Sequence, residues 1–378
     1  MQLSEEHKMI REMVRKFALV EVAPLAKKID ESGEFPWETV KKLAALNLLG
    51  MPFPEEYGGG GADTLSYSIA VEELSRVCAA TGITVAAHTS LGTYPIWDSG
   101  NEAQKKKYLP DLASGRKLGA FGLTEPGAGS DAGGTQTTAV RSGDHYVVNG
   151  TKCFITNASV SETYVFTAMT DKQAGTRGIS AFIVEKGTPG FRPGKKENKM
   201  GIRGSDTGEL IFEDCRVPVE NRLGEEGKGF KVFLRTLDGG RISIGAMARG
   251  IAQGALDASV KYARERKQFG RPIGACGAIQ DMIAGMATDV EAARHLVYNA
   301  SILKDRNEKF SKEAAMAKLF ASSIAMKAAR TAVQVHGGYG YMKDYDVERF
   351  YRDVKITEIG EGTSEIQRLV IARYLLED

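Results

Sequence analysis

The residues with the plainest chemical potential stand near the end of the chain. In "ITEIGEGTSEIQRL", residues 356–369, the carboxylate of Glu361 lies between Gly360 and Gly362. Flanking glycines leave space around a side chain and permit backbone angles that other residues avoid. A carboxylate so placed can take a proton from a bound molecule. It is also the acidic residue that the dipole of a following helix favours, with no chemistry attached. Two more stretches have the makings of a ligand site. "GLTEPGAGSDAGG", residues 122–134, offers backbone N–H groups and hydroxyls with little side-chain obstruction, as an anionic group requires. Such a loop can also be a simple turn. "RERKQFGRPIG", residues 264–274, gathers cations around Phe269, or is the solvated end of a helix.

These residues need elements to hold them. Ser364 is a good N-cap and Gln367, three residues on, completes a capping box, so the last helix is expected to begin near Glu365. Ile366, Leu369 and Val370 then mark its buried face. Residues 1–117 read as helical: Ile10, Met13, Val14 and Phe17 share a face, Pro24 interrupts the pattern, and "EEYGGGGAD" turns the chain. Residues 118–228 are rich in Val, Thr, Ile and Phe with turn residues at short intervals, which predicts a β-domain of antiparallel strands. Its strands are expected in "TYVFTAMTD", "GISAFIVEKG" and "GELIFEDCRVP", with a hairpin turn at Asn149-Gly150 in "HYVVNGTKCFIT". From 229 to 378 helical periodicity returns. Ala252, Ala255, Leu256 and Val260 form one stripe, and Met316, Leu319, Phe320 and Ile324 another that stops at Gly337-Gly338. The fold class is therefore α+β, in the order helical, β, helical.

Bulk properties narrow the function. The 378 residues carry a formal charge of +2, with 42% hydrophobic and 26% charged residues, as in a soluble globular protein. No basic block points to nucleic acid, and no apolar run has the length of a membrane span. The start, "MQLSEEHKMIREMV", is charged and helical, unlike a signal peptide, and too acidic for a transit peptide. Cys78, Cys153, Cys215 and Cys276 are scattered without C-x-x-C, and the histidines show no ligand spacing, so neither disulfides nor a metal is expected. The cytoplasm is the expected location. The phosphate-binding loop of ATPases, the dinucleotide G-x-G-x-x-G and the hydrolase G-x-S-x-G are all absent.

"LTEPGAGSDAGG", "FITNA", "KMGIRGSDTGELIFEDCRVP", "ARERKQFGRPI", "QVHGGYGY" and "YRDVKITEIGEGTSEIQRLVIARYLLE" occur in this order. Together they resemble the acyl-CoA dehydrogenase family over almost the whole chain. The resemblance implies a four-helix bundle for the last domain and an FAD between that bundle and the β-domain. Thr124 matches the position that bonds the pyrimidine end of the flavin, with Phe121 and Leu123 lining its loop. Phe154 and Thr156 match the aromatic that covers the flavin and the hydroxyl directed at N5. Ser130 matches a position touching both the flavin phosphates and the CoA. Arg266, Gln268 and Phe269 match positions that hold the adenosine half of a neighbouring subunit's FAD, Gln334, Gly337 and Gly338 a second loop there. Thr363 and Glu365 sit where the last segment meets the cofactor.

Toward the substrate, Asp238 and Arg241 match positions near the CoA, and Gly360 and Gly362 flank the acyl group. Glu361 matches the catalytic base. Some branches carry that base at the position of Gly240, where glycine cannot serve. The implied activity is α,β-dehydrogenation of an acyl-CoA to the trans-2-enoyl-CoA, with electrons passing to an electron-transferring flavoprotein from a homotetramer. An enoyl-CoA reductase, an acyl-CoA oxidase, or a non-catalytic flavin- or acyl-CoA-binding protein are the alternatives on the same fold. Three positions depart from common family patterns. Phe154 stands where many members have Trp, Gly277 where Gln often contacts the FAD, and Gly360 where straight-chain members have Tyr. That glycine predicts an acyl group branched or ring-bearing near the β-carbon. His88, in the segment lining the acyl pocket, reads as a buried residue bonded to backbone.

Overall fold

In this computed structural model, which describes residues 2–376, the chain opens with seven helices. They are α1 (Glu5–Phe17), α2 (Ala23–Ser32), α3 (Trp37–Ala45), α4 (Thr64–Ser75), α5 (Ala79–Ala86), α6 (Tyr94–Ser99) and α7 (Glu102–Ala113). Ser4, Asp63 and Asn101 start α1, α4 and α7 by accepting a bond from the backbone N–H three residues on. Pro24 does not interrupt the path as expected. A π-helical turn, Ala18–Val22, leads straight into α2, with proline in the first turn of that helix. A second π-helical turn, Ala87–Thr93, joins α5 to α6 and carries His88.

Eight strands follow: β1 (Gly119–Gly122), β2 (Thr138–Ser142), β3 (His145–Thr156), β4 (Thr163–Met169), β5 (Ile179–Glu185), β6 (Phe191–Lys196), β7 (Thr207–Pro218) and β8 (Arg222–Leu223). They form one sheet in the order β6-β7-β3-β2-β4-β5-β8, with β1 beside β4. The sheet is not wholly antiparallel: β1 and β2 both meet β4 in parallel. Nor does Asn149-Gly150 turn the chain. The hairpin between β2 and β3 turns at Gly143-Asp144, with Gly143 at φ +62°. Asn149 instead exchanges hydrogen bonds with Asp214 across the sheet (3.1 and 2.8 Å). Gly150 lies at a break in the β3–β7 register, where a β-carbon would come within 2.5 Å of Thr137 Oγ1. Glycine serves close approach here, not reversal.

The remainder is helical: α8 (Gly229–Glu265), the short strands β9 (Lys267–Gln268) and β10 (Arg271–Pro272), then α9 (Gly277–Asp305), α10 (Ser311–His336), α11 (Val347–Val354) and α12 (Ser364–Leu376). Helices α8, α9 and α10 pack on one another, and α12 closes the bundle against α10. Two expected faces differ. The buried face of α10 is made of Ala314, Ala317, Ala321, Ala325 and Ala328, with Ile324 and Lys318, while Met316, Leu319 and Phe320 are half-buried beside it. Small residues let the helices approach closely: a β-carbon on Gly245 of α8 would already touch the backbone of Ala317. On α12, Leu369 is 64% exposed, and the buried residue is Gln367. Ile366 and Val370 are half-buried, whereas Leu369, Leu375 and Leu376 are exposed among the described residues.

Candidate active site

The turn that carries Glu361 begins where a short 3₁₀ segment, Lys355–Glu358, runs out of α11. Gly360 N–H closes onto the Ile356 carbonyl at 2.8 Å. Glu361 then takes φ +54° and Gly362 φ +93°. A left-handed glutamate is strained, and strain of this kind gathers at functional sites. The expected capping box does not form. Thr363, one residue before the expected cap, accepts from the Ile366 N–H at 3.3 Å. Gln367 donates instead to the carbonyls of Glu361 (3.3 Å) and Gly362 (2.8 Å), which the left-handed turn aims at the first turn of α12.

The Glu361 carboxylate points into the protein. Its Oε2 is shut off from solvent and has no hydrogen-bond partner among the described residues. A β-carbon on Gly240 of α8 would fall 1.9 Å from Oε2, and 3.0 Å from Leu91 of the second π-turn. Burial raises the Glu361 carboxyl to about 7, against the opposing pull of Lys318 and Arg241. Lys318 of α10 is fully buried and donates to the Gly362 carbonyl at 2.5 Å. Arg241 is 6% exposed and paired with Asp238, whose other carboxylate oxygen accepts from Ser311. The structure thus brings Glu361, Gly240, Arg241 and Asp238 together.

The residues expected at a flavin fall into two groups. In the β-domain, Phe121 is buried and stacks on Phe233 with ring centroids 4.1 Å apart. The loop beyond it is tied down from beneath: Lys152 Nζ donates to the Leu123 carbonyl (3.2 Å) and to Glu125 (2.7 Å), and Cys153 N–H to the Thr124 carbonyl (2.9 Å). Glu125 also accepts from the N–H groups of Gln136 and Thr137. Farther along, a β-carbon on Gly127 or Gly129 would meet nothing within 4 Å, and Ser130 is exposed. A second bulge in β3, between Lys152 and Ile155, turns Phe154 outward at φ +58° with 66% of it exposed. Half-buried Thr156 follows it, paired in register with Thr207. An outward ring beside an unobstructed glycine loop fits a flat, phosphate-bearing cofactor.

The second group lies apart. A cleft of about 770 Å³ on the C-terminal bundle is lined by Arg266, Gln268, Phe269, Gly337 and Gly338, and no β-domain residue lines it. Phe269 is fully exposed at φ +51°, and a β-carbon on Gly337 or Gly338 would meet open space. Gln334 is exposed beside the cleft without lining it, and its carbonyl accepts the Gly337 N–H that ends α10. Gly277 has open space around it, next to Cys276 in the lining. Glu365 is exposed on the first turn of α12.

His88 is fully buried, with Nε2 bonded to the Leu112 carbonyl and Nδ1 accepting from Gly119 N–H. It ties the second π-turn to β1, as its sequence setting suggests. Sequence reasoning passed over Lys318 and the Lys152–Glu125 pair. Both carried a signal: Lys318 is the one cation in the run "AAMAKLFA", and Lys152 falls on the inward phase of β3. Among the described residues no cluster of His, Cys, Asp or Glu is arranged to hold a metal, and no helix is long and apolar enough to cross a membrane.

Three family models match the chain in succession: the acyl-CoA dehydrogenase N-terminal domain over residues 4–116, the middle domain over 120–215 and the C-terminal domain over 227–376. The chain belongs to the acyl-CoA dehydrogenase family. It is 58% identical over 377 residues to a probable acyl-CoA dehydrogenase of Bacillus subtilis, covering 100% of this chain and 99% of the relative. It is 56% identical to the short-chain specific acyl-CoA dehydrogenase of Clostridium acetobutylicum, covering 98% of each. A caffeyl-CoA reductase-Etf complex subunit of Acetobacterium woodii is 49% identical over the full length of both chains. Among solved structures, butyryl-CoA dehydrogenase from Megasphaera elsdenii superposes with a TM-score of 0.98 at 48% identity, covering 100% of both. An acyl-CoA dehydrogenase complexed with FAD from Bacillus anthracis gives 0.94 at 40%, covering 99% of this chain and 67% of that one. The succession of helical, β and helical domains is this family's fold.

Proposed function

We propose that the protein is an FAD-dependent acyl-CoA dehydrogenase in which Glu361 takes the α-proton of a short acyl thioester. One observation carries the assignment of the base: a buried carboxylate oxygen with no partner, on a strained turn, raised to about 7. A group poised near neutral pH takes a proton in one step and releases it afterwards. Arg241 and Lys318 face the carboxylate with positive charge, so its ionised form persists despite burial. FAD, when bound, supplies the acceptor for the hydride that leaves the β-carbon, and the product is the trans-2-enoyl-CoA.

Phe121, Leu123, Thr124, Ser130, Phe154 and Thr156 would hold the FAD from the β-domain. Arg266, Gln268, Phe269, Gln334, Gly337 and Gly338 would hold its distal half in a second subunit, with Thr363 and Glu365 at the junction. Ser130, Asp238, Arg241, Gly360 and Gly362 would meet the acyl-CoA. A homotetramer is supported by the uncovered apolar residues of α12, Leu369, Leu375 and Leu376, each more than 60% exposed. Electron-transferring flavoprotein is the proposed electron partner and the cytoplasm the proposed location. The kinship with a caffeyl-CoA reductase subunit favours a second reading, reduction of an enoyl-CoA on the same site.

Anaerobic titration of the yellow holoprotein with a panel of acyl-CoAs tests the proposal. The flavin absorbance bleaches with a short acyl-CoA in a dehydrogenase. A colourless protein that takes up no FAD on reconstitution, or a flavin that no acyl-CoA bleaches, overturns it. Re-oxidation by an enoyl-CoA in preference to bleaching by the acyl-CoA supports the reductase direction.

A further inference from the structure

Lys318 is a fully buried ammonium whose hydrogen bond goes to a carbonyl, not to a carboxylate. A charge taken out of water at this depth costs several kcal/mol unless its surroundings offset it. It sits in a largely alanine face of α10, where a small apolar residue would pack without that cost. What it touches is the strained turn itself. Gly362 O receives two buried donors, Lys318 Nζ from α10 at 2.5 Å and Gln367 Nε2 from α12 at 2.8 Å. That carbonyl belongs to the residue following Glu361, so both donors resist relaxation of the left-handed pair at φ +54° and +93°. The groups facing this pair come from every packed element: Arg241 on α8, Tyr67 on α4, Glu358 on the 3₁₀ segment and Glu365 on α12.

We propose that Lys318 is a positioning residue for the base: its ammonium clamps the Glu361–Gly362 turn through the Gly362 carbonyl and sets the positive charge that the Glu361 carboxylate faces. The inference rests on Glu361 being the base, and it names what holds that base in place. Burial lowers the Lys318 ammonium to about 8, while Glu361 acts to keep it charged. Arg241 adds positive charge but pairs with Asp238 and makes no hydrogen bond to the turn among the described residues.

The experiment is the pH dependence of kcat/KM for holoenzyme Lys318→Met, Lys318→Arg and Glu361→Gln with butyryl-CoA. Loss of a facing opposite charge raises a carboxyl by roughly one unit or more. In Lys318→Met the acid limb is expected to move up by about that much, so activity falls about five-fold at pH 7 and largely recovers by pH 9. Lys318→Arg, which keeps the charge, should hold the limb where the wild type has it. An unmoved limb in Lys318→Met, with activity lowered equally at all pH values, makes the lysine merely structural and overturns the proposal. If Lys318→Met does not fold, a limb displaced by Lys318→Arg as far as a charge loss would move it overturns it instead. Failure of the underlying reading looks different: Glu361→Gln would then keep both activity and acid limb.

Discussion

The α-carbon of Gly240 lies against the Glu361 carboxylate, so closely that a β-carbon there would come 1.9 Å from Oε2. Two segments more than a hundred residues apart meet at this contact, the middle of α8 and the entry turn of α12. The glycine is what leaves the carboxylate its place. Gly240 is also the position from which some family branches present their base. The proposed base and the position of Gly240 thus meet at one place, reached from two helices.

Gly240→Ala should displace the carboxylate without harming the fold, because the clash is with the end of a flexible side chain. A misplacement of about 1 Å at a reacting group costs roughly 10²-fold. Turnover is expected to fall by about that factor, with FAD content and melting temperature close to wild type. Unchanged turnover would show that the carboxylate works from elsewhere.

Glu361→Gln keeps size and shape but cannot accept a proton. Turnover should drop by roughly 10²–10⁴-fold, the usual worth of a positioned base, while acyl-CoA still binds. Because burial raises the wild-type carboxyl to about 7, activity requires the ionised form and is lost as pH falls through that value. The acid limb of kcat/KM in the wild type should therefore lie near 7, not near 4. A flat profile from pH 5 to 8 contradicts this assignment.

Lys152→Met should strip the proposed flavin loop of its anchor. Lys152 and Glu125 are both buried, and burial lowers the lysine to about 8 against the attraction of Glu125. Removing one partner of a buried pair costs about 3–5 kcal/mol because the other charge is left behind. The variant should melt earlier and retain less FAD after gel filtration than wild type. Replacing both, Lys152→Met with Glu125→Leu, should recover part of the melting temperature but not the FAD, since Leu123 still loses its donor.

Gly360→Tyr probes the width of the acyl pocket. Gly360 does not need a left-handed backbone, and the three atoms nearest to a β-carbon there all belong to Ile356, the closest at 3.4 Å. The tyrosine ring of straight-chain members can thus be built at this position. It should cost a branched or ring-bearing acyl-CoA at least ten-fold more kcat/KM than butyryl-CoA, about 1.4 kcal/mol of discrimination. Equal losses for both substrates, or a wild type that prefers butyryl-CoA, would rule out the wide pocket.

Local order was legible wherever it depends on near neighbours. The helical, β and helical segments follow from the spacing of apolar residues. Six ordered motifs pointed to the family, and through that resemblance to Glu361 as the proposed base. What misled was local chemistry that tertiary pairing overrode. Asn149-Gly150 has the composition of a turn, yet Asp214 across the sheet and the approach of Thr137 make it a bulge. Ser364 and Gln367 have the spacing of a capping box, yet the carbonyls of a left-handed turn claim Gln367, and Thr363 caps the helix. Of the chemical state of the site only the direction was legible, a carboxyl raised by desolvation. Burial raises the Glu361 carboxyl to about 7 against cations from α8 and α10, some 120 and 43 residues away in sequence. The resemblance to the family was enough to propose the base; its raised carboxyl comes from desolvation, offset in part by through-space charge, and both exist only once distant helices are packed together.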